Sequence, residues 1–244
     1  MFRALPAAAM TAVLALAAAA PALAGSSQPM MPLTPGFYWD YVSPGGVHQF
    51  EAIGGTLTLL GRTVTEKGYT GGPDAGLVNW WLTGPAGEVQ LAGFDNPTAG
   101  LSLAYDPPIT VCGGTPLAGD LWLTHVTAYQ LPTMAVYATF DLTYGLIEEV
   151  DLTLPAGTFH TFGVGQVVFA APFAAAGGAA LGLDGRSLGT GPAATRAAAS
   201  ASDWYSPGVG DVQFVASDLF RLESYGVADP VHAATWGQVK QRWR

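Results

Sequence analysis

Ala135-Val-Tyr-Ala-Thr-Phe-Asp-Leu-Thr-Tyr144 decides the fold class. Val136, Ala138, Phe140, Leu142 and Tyr144 recur at every second position, with Tyr137, Thr139, Asp141 and Thr143 between them. Successive side chains of a strand point to opposite faces, so this spacing makes one apolar face and one polar face. A sheet with one face on a core and the other in water is an antiparallel arrangement. Glu149-Val-Asp-Leu-Thr-Leu154 repeats the pattern, as do Glu88–Leu91 and Asp211–Val215. Turn chemistry separates the runs: Ser43-Pro-Gly-Gly46, Gly84-Pro-Ala-Gly87, Pro155-Ala-Gly157 and Pro207-Gly208. Tyr144-Gly145 divides two alternating runs and reads as a hairpin tip. Strands follow strands without a long helical period, which predicts meanders rather than βαβ units. The expected fold is all-β with a minor helix. It is a large, strongly curved antiparallel sheet or half-barrel of about ten to twelve strands.

The first 24 residues read differently. Met1-Phe2-Arg3 carries one positive charge, Ala7–Ala20 carries none, and Ala22-Leu23-Ala24 ends the run with small residues. This is the order of a secretory signal peptide, with cleavage between Ala24 and Gly25. A membrane span needs roughly 20 strongly apolar residues, whereas this alanine run breaks at Pro21. Ser26 stands where a lipoprotein signal needs a cysteine, so the mature chain is expected to be soluble, periplasmic or extracellular, with no transmembrane segment after signal removal. An antiparallel β-domain is expected over 25–228. Within it, the Ala/Gly-rich stretch 172–201 reads as a flexible surface insertion, with alanine favouring a short helix at Ala193–Ser200. Residues 229–244 form a C-terminal tail. Cys112, the single cysteine, lies in an apolar stretch and reads as buried filler.

Charge excludes one class of partner. Eighteen acids face nine bases for a net charge of −9. Arg3 leaves with the signal, and Lys240, Arg242 and Arg244 crowd the extreme end. The acidic body repels phosphate backbones, so nucleic acid is not an expected partner. Chemistry is equally sparse. The four histidines, His48, His125, His160 and His232, show no metal-ligand spacing in sequence, so no metal is expected. No Gly-x-Ser-x-Gly or His-Glu-x-x-His motif is present, no motif calls for a cofactor, and no catalytic residue is assigned. Glu148, Glu149 and Asp151 read as a wet sheet face rather than paired catalytic acids. His125 shares a strand face with Leu121, Leu123, Thr127 and Tyr129 and is expected to be satisfied and partly buried. Trp80-Trp81 is the strongest binding candidate. Adjacent strand residues diverge, so one indole is expected in the core and the other in the open or in a concavity. Trp80, Trp81 and His125 are therefore the candidate ligand-binding residues.

Two loops echo one another: Pro32-Leu-Thr-Pro-Gly-Phe-Tyr-Trp39 and Pro116-Leu-Ala-Gly-Asp-Leu-Trp122. Each leads through Gly-x-x-Trp into an expected strand. Two later motifs are more specific. Thr153-Leu-Pro155-Ala-Gly157-Thr-Phe159 and Asp203-Trp204-Tyr205-Ser-Pro207-Gly208-Val-Gly210-Asp-Val212 resemble a paired signature, V-P-A-G-T-F … W/Y-Y-x-P-G-V-G-x-V. It occurs in a loose group of exported bacterial β-proteins, often lipoproteins, that includes TapB-like sequences. The resemblance implies a curved sheet akin to periplasmic lipoprotein carriers and supplies no catalytic residue. Read physically, Pro155, Gly157 and Phe159 make a reversal with a core anchor. Trp204, Tyr205, Pro207, Gly208 and Gly210 make a packed turn. The leading functional expectation is an exported, non-enzymatic protein whose concave sheet binds an apolar ligand, a lipid-like group or an envelope partner. The alternatives are a secreted glycan-binding or glycan-cleaving protein and a structural envelope protein with no small ligand.

Overall fold

The computed structural model describes residues 29–168, 173–174, 180–186, 202–216 and 218–228. Its strands are β1 (Phe37–Val42), β2 (His48–Leu59), β3 (Arg62–Thr70), β4 (Val78–Thr83), β5 (Val89–Asn96), β6 (Leu101–Cys112) and β7 (Leu121–Gln130). They continue as β8 (Ala135–Leu154), β9 (Gly157–Val168), β10 (Phe173–Ala174), β11 (Ala180–Leu181), β12 (Asp203–Ser206), β13 (Gly210–Val215) and β14 (Leu219–Val227). Twelve of them close into an antiparallel barrel, and β10 and β11 pair separately as a small ribbon. The barrel is an up-and-down meander in which β14 returns to pair with β1, Phe37 opposite Val227. An even number of alternating strands is what lets the first and last meet antiparallel. Closure removes the open edges that the half-barrel expectation would have left.

Alternation sorts the barrel into a dry inside and a wet outside. Trp39, Tyr41, Tyr69, Phe94, Tyr105, Phe214 and Phe220 are fully buried. On the outer face of β7, β8 and β9, His125 pairs with Asp141, and His160 with Glu149 and Asp151, all of them exposed. An eight-stranded barrel is just filled by its side chains, and width grows with strand number. Twelve strands therefore enclose more room than one layer of side chains occupies. Two devices fill it. The inner face is heavily aromatic, and the segment Leu181–Arg186 enters the lumen as a plug.

The Tyr105 hydroxyl donates to the Leu183 carbonyl at 2.6 Å, and Asn96 Nδ2 donates to the Gly185 carbonyl at 2.9 Å. Leu181, Leu183, Gly185 and Arg186 are buried. A surface insertion was expected over 172–201, yet within its described residues Leu181–Arg186 lies inside the barrel, where the apolar side chains of Leu181 and Leu183 and the charge of Arg186 find partners. The helix expected at Ala193–Ser200, the signal segment and the tail 229–244 lie outside the described residues, and no helix occurs among the described ones.

Tyr144-Gly145 is not a hairpin tip. It sits mid-way along β8, a single strand of 20 residues, where Gly145 pairs with Gly165 of β9 and Leu121 of β7. The reversal comes at Pro155-Ala156, between Leu154 and its partner Gly157. Phe159, two residues on, packs edge-on to Tyr225 with centroids 5.8 Å apart. The echoing loops each feed a barrel strand, β1 and β7. Trp39 is buried in the lumen, whereas Trp122 is half-buried and lies against Gly113. Cys112 is buried, and burial pushes its thiol up to about 12, which removes the reactive thiolate at neutral pH.

Gly185 has φ +77°, and a Cβ there would lie 2.5 Å from the buried Phe94 ring. Gly185→Ala should lower stability by about 1–3 kcal/mol, since left-handed backbone strain and overpacking add. Gly55→Ala, whose Cβ would meet only the Glu66 carboxylate at 3.9 Å, should stay within about 0.5 kcal/mol of the parent. Urea unfolding of the two variants makes the comparison.

Candidate functional site

Inside the barrel, β2 and β3 turn polar residues towards the lumen. Gln49 and Glu51 share the inner face of β2 with Ile53, and Lys67 and Tyr69 share that of β3. Lys67 Nζ lies 2.5 Å from Glu51 Oε2, and Gln49 Nε2 donates to Glu51 Oε1 at 2.8 Å. Arg186 arrives on the plug. Its Nη2 donates to Glu51 Oε1 at 3.2 Å, its Nε lies 3.2 Å from Asp184 Oδ2, and its Nη1 donates to Asp203 Oδ1 at 3.5 Å. Asp211 Oδ2 stands 3.9 Å away. The guanidinium lies 4.0 Å from the Phe214 ring centroid, while Lys67 Nζ is 5.2–5.7 Å from the rings of Trp39, Tyr69 and Trp81. Aromatic faces attract a desolvated cation, so the rings help to hold both bases.

Four carboxylates thus share two buried cations. Burial pushes Asp211 well above the usual carboxylate range, and neighbouring Asp203 adds to the rise against Arg186 and Lys67. Burial also raises Asp203, with Arg186 opposing. Burial alone would lower the Arg186 guanidinium, but Tyr69, Glu51, Asp184 and Asp211 outweigh it and hold the group charged. Burial, with Glu51 next, raises the hydroxyls of Tyr41 and Tyr69, so both stay neutral. These groups lie together in the lumen, and the cluster fastens the plug to β2, β12 and β13.

The outer face of β1–β4 offers something different. Asp40, Phe50, Ala52, Gly54, Glu66, Gly68 and Val78 alternate with the lumen residues and line a recess of about 1140 Å³, bordered by the β3–β4 connection at Gly71 and Ala75–Leu77. The dent exists because Ala52, Gly54 and Gly68 carry little or no side chain where β2 and β3 run side by side. Phe50, stacked on Tyr38 at 5.6 Å, forms an apolar wall. Asp40 and Glu66 are the acids of the lining, His48 stands at the rim, and no lysine or arginine among the described residues lines it. His48 Nδ1 lies 3.3 Å from Asp40 Oδ1 and 3.4 Å from Glu223 Oε2. Glu223 is the extra residue of a bulge in β14, between partners Leu222 and Ser224, and the bulge turns its carboxylate across β1 towards β2.

The residues singled out in the sequence scatter. Trp81 is in the lumen near Lys67. Trp80 faces outward but is buried with Leu59, Val64, Ala92 and Ala104, under the folded-over tip of the β2–β3 hairpin, where Arg62 bonds Asp106 at 2.8 Å. Neither indole is open to a ligand, because the hairpin covers the one that leaves the lumen. His125 is exposed rather than partly buried and is paired with Asp141 at 2.6 Å. Trp204 donates to Glu148 at 2.8 Å, and Tyr205 is buried. Gly208 N–H donates to the Pro29 carbonyl, while Gly210 passes beside Trp39, whose indole N–H donates to the Val209 carbonyl at 2.6 Å. Ala24 and Gly25 lie outside the described residues. No protein-family model matches the chain. No curated protein matches it either. Among solved structures, a candidate lipoprotein from Parabacteroides distasonis ATCC 8503 is similar over 83% of this chain and 100% of its own, at 14% identity and a TM-score of 0.28.

The raised carboxyls give stability a definite pH dependence. A group whose folded pKa exceeds its unfolded value stabilises the fold below about pH 4 and loses that contribution as pH rises through the folded value. Asp211→Asn should therefore be more stable than the parent at neutral pH and converge with it near pH 4. Arg186→Met leaves the acids without their partner and should cost about 3–5 kcal/mol at neutral pH, with part of the loss recovered on acidification. Urea titrations across that pH range read both effects.

Proposed function

We propose that the chain is an exported, non-enzymatic β-barrel that binds an amphipathic ligand bearing a positive charge, in the outer recess of β1–β4. The carrying observation is the recess itself. Its volume matches sites for small organic ligands, which run to roughly 1,000 Å³. Phe50, Ala52, Leu77 and Val78 supply an apolar lining, and Asp40 and Glu66 supply negative charge that no lysine or arginine among the described lining residues cancels. An apolar body with a cationic head complements both. Export is inferred from Met1–Ala24, and kinship with the TapB-like group from the two late motifs alone. The non-enzymatic reading is supported by the burial of the densest acid–base cluster behind the plug. A sugar-stacking role for Trp80 or Trp81 has no platform, since both indoles are covered.

Gly68 provides a clean test, because a Cβ there meets nothing within 4 Å and its backbone is not left-handed. Gly68→Leu should keep the barrel intact and fill the floor of the recess. An alkylammonium of twelve-carbon class should bind the mature protein at least about tenfold more tightly than the matching alkyl sulfate, a difference of about 1.4 kcal/mol. That preference should disappear in Gly68→Leu. Equal binding of the two headgroups, or binding unchanged by the variant, overturns the proposal.

A further inference from the structure

Among the described residues, three histidine–acid groupings lie on the outer wall, and one of them has a different geometry. His125 Nδ1 meets Asp141 at 2.6 Å, and His160 meets Asp151 at 2.9 Å and Glu149 at 3.1 Å. These are the separations of charge-assisted hydrogen bonds, about 2.7–2.9 Å and slightly beyond. His48 Nδ1 instead stands 3.3 Å from Asp40 and 3.4 Å from Glu223, and the three donor atoms lie within 4.8 Å of one another. A tetrahedral ion with donors at about 2.0–2.1 Å holds them about 3.3–3.4 Å apart along each edge. The His48 separations fit that edge and are longer than those of the other two histidine–acid groupings.

The donors also come from rigid places. Asp40, His48 and Glu223 sit on β1, β2 and β14, three neighbouring strands of the barrel. Strand-borne ligands hold their spacing better than loop-borne ones. Asp40 faces outward opposite Phe50, and His48 is two residue pairs further along on the same face, opposite Val42. Without the bulge at Glu223, alternation would carry Arg221, Glu223 and Tyr225 along one face in regular register with β1. With it, the carboxylate is re-aimed at the imidazole. One imidazole and two carboxylates make an N,O set suited to zinc and its neighbours in the divalent series.

We infer that Asp40, His48 and Glu223 form a site for a Zn²⁺-class divalent ion on the outer wall, binding through Oδ1, Nδ1 and Oε2 and leaving the fourth position to solvent. The site stands apart from the amphipathic-ligand reading, although Asp40 and His48 also border the recess. The mature protein titrated with Zn²⁺ should bind one ion that His48→Ala removes. Asp40→Asn and Glu223→Gln should each weaken binding at least about tenfold, the low end of what even an outer-shell partner costs. Co²⁺ in place of Zn²⁺ should give the intense visible absorption of a tetrahedral ion, again lost in His48→Ala. His125→Ala and His160→Ala should leave both signals unchanged, as should Gly68→Leu, so failure here and failure of the recess reading are separable. No uptake of Zn²⁺, uptake that survives His48→Ala, or uptake lost with His160→Ala overturns the assignment.

Discussion

The Arg186 guanidinium, held over the Phe214 ring and surrounded by Glu51, Asp184, Asp203 and Asp211, is the interaction on which the interior depends. Twelve strands make a lumen wider than their own side chains fill, and a void there would forfeit packing along the whole inner wall. The plug occupies that space, and Arg186 ties it to β2, β12 and β13. Arginine suits the place better than lysine would. Its planar fork presents several donors at once, its face stacks on an aromatic ring, and it stays charged when buried. Lys67 plays the complementary part as a compact charge held within reach of three rings and bound to one carboxylate.

Filling the lumen has a consequence for the outside. The concave surface that a curved sheet would offer to a ligand is occupied by the protein itself, so recognition moves to the outer wall. There the same strands that deliver Glu51 and Lys67 inward deliver Ala52, Gly54 and Gly68 outward, and small residues leave a hollow. Inner charge and outer hollow are two sides of β2 and β3. A change of register by one residue would exchange them, which ties the recess to the electrostatics of the lumen.

Alternation made the all-β class and the strand number legible in the sequence, since Val136–Tyr144 and Glu149–Leu154 keep one phase over most of β8. The same rule misled at Tyr144-Gly145. A glycine after an aromatic resembles a turn, but Gly145 lies between partner strands on both sides and simply continues β8. The interior cluster was hidden for a related reason. Gln49, Glu51 and Lys67 alternate with Phe50, Ala52 and Glu66, and a polar row is ordinarily assigned to water. Only the arrival of Arg186 reverses the assignment, and that residue comes from an Ala/Gly-rich stretch whose composition suggests a loose loop. The available signal was local: Leu181, Leu183 and Asp184 precede Arg186, giving a short apolar and charged segment within an otherwise featureless run. The trio Asp40, His48 and Glu223 is spread across most of the chain, so spacing in sequence holds no trace of it. That one of Trp80 and Trp81 would leave the core was legible, but not which one, and its cover came from a hairpin folded across the wall.

Pairing of β1 with β14 also sets how the molecule comes into being. Phe37 and Val227 are neighbours in the wall although nearly the whole described chain separates them. The hairpins of the meander form between close partners, but the last seam closes a very large loop, and non-local pairings of this kind slow folding. Until β14 arrives, β1 is an open edge and the plug has only part of its socket. The ring is therefore closed only when β14 is in place. A chain cut short before β14 would leave β1 and β13 as open edges, and no barrel would close.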